Sequence, residues 1–110
     1  MRPPKRMISD PANCRDMTEL RAVIDTLDRE LVELFAARVA CIDRAVELKA
    51  AEGLPARIED RIERVVGNVR RTAEERGLDP EFAEHLWSQI IEWSIRREEI
   101  AFAEQDVAAR

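Results

Sequence analysis

The chain has no tyrosine, three glycines, one histidine and two cysteines among 110 residues. Each shortage excludes something. So little glycine and no tyrosine, set against long stretches of Ala, Leu, Glu and Arg, reads as an all-α protein. Cys14 and Cys41 do not have a metal-ligand spacing, and His85 is far from both. No familiar zinc ligand set can be assembled from them, and no metal is expected. Cys41 falls at the edge of an apolar stripe, where a small buried hydrophobe is expected. There is no basic excess either. The net charge of −5 argues against nucleic-acid binding, so any cationic site must be local and enclosed. No stretch approaches the ~18 apolar residues of a membrane span. The basic start, Met1 to Arg6, is not followed by the apolar run of a signal peptide. A soluble, cytoplasmic, single-domain chain is expected.

What is present is helical periodicity. Residues 1–15 hold Pro3, Pro4 and Pro11 without a repeat, and read as a flexible arm before a helical domain over 16–106. Asp16 and Glu19 make a capping pattern. The first helix is predicted from about Met17 to Glu52, closed by Gly53 and Pro55. The second starts near Arg57, with Ile58, Ile62, Val65, Val66, Val69 and Ala73 on one face, and ends at Gly77. Asp79-Pro80-Glu81 restarts a third, to about Glu104. Its apolar arc holds Phe82, Ala83, Leu86, Trp87, Ile90, Ile91, Trp93 and Ala101. A first helix of about 35 residues spans roughly 50 Å. A compact 110-residue globule has a radius of gyration of only about 13 Å. The shorter helices cannot cover that stripe alone. A second copy is its simplest cover, which makes a homodimer the expected state.

Two cations interrupt the long stripe. At about 100° per residue, Leu20, Ile24, Leu27, Leu31, Leu34, Ile42 and Ala45 share one face. Arg38 falls at its centre and Lys49 within about 20° of Arg38. A charge in a core costs several kcal/mol unless paired. Two of them three turns apart point to a bound anion. Arg21 lies at the stripe's edge, and a partner chain is better placed than its own to deliver it. Helix three adds Ser94 and Glu98, one turn apart at the arc's margin, and Arg61 flanks helix two. Each has a plainer reading. Arg38 as a snorkelling residue or half of a pair with Glu98, Lys49 as a helix-end cation, and Arg21 and Arg61 as surface residues all compete. So do Ser94 bonded back to its own helix and Glu98 simply exposed. Arg70-Arg71 and Arg96-Arg97 read as solvated faces. Taken together, the six candidates describe a small pocket for a dianion. No nucleophile–base pair, phosphate-binding glycine loop or metal cluster is apparent, so catalysis there would rest on electrostatics and on holding one conformer.

The pattern resembles the all-helical chorismate mutase family over about residues 14 to 102. The resemblance is carried by Leu20-Arg21 with Ile24-Asp25 and Leu27-Asp28, Ala37-Arg38, Leu48-Lys49, the Pro55 loop, Gly77-Leu78-Asp79 and Gln89-Ile90-Ile91-Glu92-Trp93-Ser94. It implies an intertwined homodimeric bundle of three helices, one of them long. It further implies cofactor-free rearrangement of chorismate, a small dicarboxylate, to prephenate in aromatic amino acid synthesis. By resemblance, Arg38 and Arg21 of the partner chain bind the two ends of the dianion. Lys49 bonds a carboxylate and the breaking ether oxygen, Arg61 assists a carboxylate, and Ser94 lies near the ring carboxylate.

Two positions depart from the enteric bacterial pattern. Glu98 stands where a glutamine donates to the ether oxygen, as a glutamate does in the fungal mutases. Only a protonated Glu98 can donate there, which predicts activity falling as pH rises. Ile62 stands where a carboxylate holds the ring hydroxyl, with Glu59 and Glu63 close by. The chain is also similar to the isochorismate-pyruvate lyases of salicylate synthesis, through the Cys14 arm, the aliphatic residue at 62 and the Ile-Ile-x-Trp run. Glu98 and Ser94 favour the mutase. A helical dimerisation or regulatory module without catalysis is the third reading. With no appended dehydratase, dehydrogenase or synthase domain in the sequence, a monofunctional chain is expected.

Overall fold

A computed structural model describes residues 10–109. It contains α1 (Met17–Glu52), α2 (Glu59–Glu75) and α3 (Pro80–Ala109), preceded by a 3-10 turn at Pro11–Asn13. Among the described residues there is no strand, and the all-α class is as expected. No described helix is long and apolar enough to cross a membrane. The expected arm lies outside the described residues up to position 9. Its last part holds the 3-10 turn. Asp10 Oδ1 accepts from the Ala12 N–H at 2.9 Å, and the Cys14 N–H donates to Pro11 O at 3.1 Å. A side-chain cap and a proline with a preset φ are enough for one such turn.

The chain divides into two compact units after Arg38, and α1 runs through both. In the N-terminal unit, Asp16 Oδ1 accepts from the Glu19 N–H at 2.9 Å, satisfying one of the free donors of the first turn. Glu19 in turn takes the Arg15 Nε–H at 3.0 Å. The apolar stripe is largely open in the single chain. Leu20 and Leu27 are half-buried, whereas Ile24, Leu31 and Leu34 are 43%, 51% and 55% exposed.

The C-terminal unit holds the remainder of α1 with α2 and α3. Gly53 (φ +71°) closes α1, and the Leu54 N–H returns to Lys49 O at 2.9 Å. Gly77 (φ +73°) closes α2 in the same way, the Leu78 N–H reaching Ala73 O at 2.8 Å. Both are the left-handed helix stop that glycine permits. α2 begins two residues later than expected because Ile58 is extended (φ −128°), leaving Glu59 and Asp60 to open the helix. Asp79 accepts from the Glu81 N–H at 2.9 Å, with Pro80 in the first position. α3 continues past Glu104 and past the expected domain edge at 106, since Gln105 to Ala109 contains neither glycine nor proline to stop it.

The core forms where α2 meets α3. Ala56, Ile91 and Ile95 are buried, with Ile62, Val65, Val66, Trp87 and Phe102 packed around them. The expected apolar face of α2 is thus the one used. The arc of α3 needs correction: Phe82, Leu86 and Trp93 are 55%, 37% and 51% exposed. Leu86 and Trp93 lie seven residues apart, and Ile100 and Val107 continue the same exposed row. At about 100° per residue this row falls on the side of α3 away from Ile91, Ile95 and Glu98. Cys41 is likewise exposed, not buried, because its side of α1 is uncovered in the single chain. Arg70 is not simply solvated. It is half-buried and ties α2 to α3 through Glu84 at 2.8 Å and Glu81 at 3.0 Å. Arg97 bonds Asp43 at 2.6 Å, linking α3 to α1, and its guanidinium lies 5.6 Å from the centre of the Trp93 ring. The Arg97 guanidinium holds the Asp43 carboxyl below its ordinary range, chiefly through that hydrogen bond.

Candidate active site

The last turn of α1 carries Lys49 toward α3 and the connection after Gly53. Its Nζ stands 2.7 Å from Glu98 Oε1, the ammonium 19% exposed and the carboxylate 4%. Nζ also donates to Ala56 O at 2.7 Å. The contact with Glu98 is an ion pair by distance, but its angles are poor. Glu98 Oε1, shut off from water, accepts no well-directed hydrogen bond. Attraction between charges at this separation depends little on direction, so the two groups still pair. Glu98 is thus more deeply enclosed than its place at the margin of the arc implies.

Ser94 is buried one turn before Glu98 on α3. Its hydroxyl donates to Ile90 O of its own helix at 2.9 Å, the plainer of its two readings. The oxygen can still accept a bond from another group. Arg61 is exposed near the start of α2. Arg21, exposed, and Arg38, half-buried, lie in the N-terminal unit. The cluster within the C-terminal unit is therefore Lys49, Ser94 and Glu98.

The position where a hydroxyl-binding carboxylate is expected is apolar in fact as well as in sequence. Ile62 packs on the Ala56–Ile91–Ile95 core, while Glu59 and Glu63 are exposed. Once α2 starts at Glu59, the burial of Ile62 sets the helix's rotation, and neither neighbouring glutamate takes its place. An apolar groove of about 340 Å³ between α2 and α3, lined by residues including Val69, Thr72, Leu78 and Trp87, holds none of the six predicted residues.

Sequence reasoning missed the Ala56 carbonyl. A backbone acceptor leaves no residue-type signal. Gly53 and Pro55 mark a turn but do not say where its carbonyls point. It also missed Arg57 on the same connection. Arg57 forks Glu92 of α3 at 3.0 and 2.6 Å and lies 3.9 Å from Glu59. The hydrogen bonds to Glu92 raise the Arg57 pKa above its ordinary value and hold the Glu92 carboxyl below its own.

A family model described as chorismate mutase type II matches residues 20–99. The isochorismate pyruvate lyase of Pseudomonas aeruginosa is 35% identical over 86 residues, covering 77% of this chain and 83% of that protein. The 4-amino-4-deoxychorismate mutase of Streptomyces venezuelae is 28% identical over 94 residues, 86% of this chain and 91% of that protein. A T-protein of Enterobacter agglomerans is 29% identical over 83 residues, 76% of this chain but 22% of its own length. The aligned part is therefore most of the first two proteins and a minor part of the third.

Proposed function

Since this chain belongs to the chorismate mutase type II family, we propose that it rearranges chorismate to prephenate at a site built around Lys49 and Glu98. The observation that carries this reading is the enclosed pair, Lys49 Nζ 2.7 Å from Glu98 Oε1, in a family whose substrate is a dianion. The rearrangement breaks the ether C–O bond as a new C–C bond forms in the same step. It needs no nucleophile and no net proton transfer. The protein's task is to hold the reactive conformer and to stabilise negative charge growing on the ether oxygen. In this reading Lys49 donates to that oxygen and to a carboxylate. Glu98, when protonated, is the second donor. Arg38, with Arg61 assisting, takes one end of the substrate, and Ser94 lies by the ring carboxylate. Arg21 arrives from a second copy of the chain. The exposure of Ile24, Leu31 and Leu34 along α1 supports such a homodimer, because it leaves an apolar stripe that a second helix would cover.

A second reading is favoured by one specific feature. Ile62 makes the expected hydroxyl-binding position apolar, and the relative at 35% identity is named an isochorismate pyruvate lyase. That reaction would break the same kind of ether bond while a ring hydrogen moves to the departing enolpyruvyl carbon, leaving salicylate and pyruvate. One experiment separates the readings: purified protein incubated with chorismate and, separately, with isochorismate, products identified by chromatography. Prephenate from chorismate is expected. Salicylate with pyruvate from isochorismate alone would establish the lyase instead. No product from either would leave a non-catalytic helical module.

A further inference from the structure

The Lys49 ammonium is held in place by its own chain. It carries three N–H donors and no acceptor. One donates to Ala56 O at 2.7 Å, and Glu98 Oε1 stands at 2.7 Å from the same nitrogen. Glu98 Oε1 accepts no well-directed hydrogen bond, so two donors remain for a ligand, and their directions depend on where Ala56 O stands. Ala56 belongs to the connection at 53–58, which is fixed at three points. At its start, Gly53 turns with φ +71° and the Leu54 N–H bonds Lys49 O. In its middle, Ala56 is buried against Ile91 and Ile95. Just after Ala56, the Arg57 guanidinium forks Glu92 of α3, Nη1 to Oε1 at 3.0 Å and Nη2 to Oε2 at 2.6 Å. Two parallel bonds between planar groups set orientation as well as distance. The pair lies at the surface, 42% and 56% exposed, where ion pairs contribute little to folding. Its geometric consequence is larger, because the next carbonyl back along the chain is the one Lys49 donates to.

We propose that Arg57 and Glu92 are positioning residues for Lys49. Their fork holds the Ala56 carbonyl where it directs the two remaining Lys49 N–H donors toward the substrate. The proposal rests on the reading of Lys49 as a group that serves turnover. A displacement of the order of 1 Å at a reacting group can cost up to about a hundredfold in rate, and loosening one of three anchors should cost about tenfold.

The test is a double-mutant cycle of Arg57→Ala, Glu92→Ala and the double variant. The readouts are kcat and KM, with circular dichroism to check the fold. Both single variants should lose about tenfold in kcat with KM within about twofold of the original. The double variant should be no worse than either single, because both remove one fork. Arg57→Lys, which keeps an ionic contact, should recover part of the loss. A mere effect of charge near the site would move the two singles in opposite directions, since one removes a positive charge and the other a negative one. Opposite shifts, additive losses or unchanged kcat would each overturn the proposal.

A second readout does not need turnover. The bound Lys49 ammonium should give a slowly exchanging ¹⁵N NMR signal, assigned by its loss in Lys49→Arg and weakened in both alanine variants. An identical signal in the variants would overturn the proposal. If the original chain converts neither chorismate nor isochorismate, the functional reading fails and this signal alone decides the positioning role.

Discussion

Glu98 and Lys49 stand 2.7 Å apart with the carboxylate closed to water. A hydrogen-bond donor role at this place is one that a glutamine can also fill, through its amide N–H. Glu98→Gln should therefore keep turnover, while Glu98→Ala, with no donor there, should lose most of it. Measuring kcat/KM of both variants checks this, and unchanged turnover in Glu98→Ala would remove Glu98 from the donor role. Lys49→Ala should abolish nearly all turnover. It should also cost about 3 kcal/mol in denaturant unfolding, because it leaves a buried carboxylate without its ammonium. Both residues were legible as candidates, since a charge on an apolar face at helical spacing is visible in one dimension. That they partner each other was not, because the pairing joins the end of one helix to the middle of another.

At the level of the helices, the ends were the most legible feature. Caps and glycine stops are short-range devices, and Asp16, Gly53, Gly77 and Asp79 all act where the sequence places them. The three glycines should respond differently to alanine. Gly53 and Gly77 have positive φ, so Gly53→Ala and Gly77→Ala should each cost about 1–2 kcal/mol. Gly67 lies inside α2, and an added Cβ there meets nothing within 4 Å. Gly67→Ala should stabilise by about 0.5–1 kcal/mol. Thermal unfolding of the three variants is the measurement. The start of α2 and the end of α3 were misjudged. In the first case the extended Ile58 delays the helix. In the second the absence of a breaker lets it run on.

For the whole molecule, the consequence to test is shared sites. If Arg21 serves the site of a second copy and Arg38 its own, neither Arg21→Ala nor Arg38→Ala alone should turn over substrate. Mixing the two inactive proteins under exchange conditions should restore activity to about a quarter of the original. Random pairing makes half of the dimers mixed, and each mixed dimer rebuilds one of its two sites. Rate recovery on mixing, with light scattering to follow the dimer, is the check. No recovery in a stable mixed dimer would place both arginines in one chain's site or in none.

The sequence by itself determined that the chain is helical, where α1 ends and which face of α2 is buried. All of these depend on interactions within a few residues along the chain. The tertiary structure alone decided that Lys49 is bound to Ala56 O and Glu98, that Ile62 belongs to the core, that Trp93 faces outward and that Arg57 reaches Glu92. These depend on the relative rotation of packed helices and on the direction of one short connection, which helical periodicity leaves open.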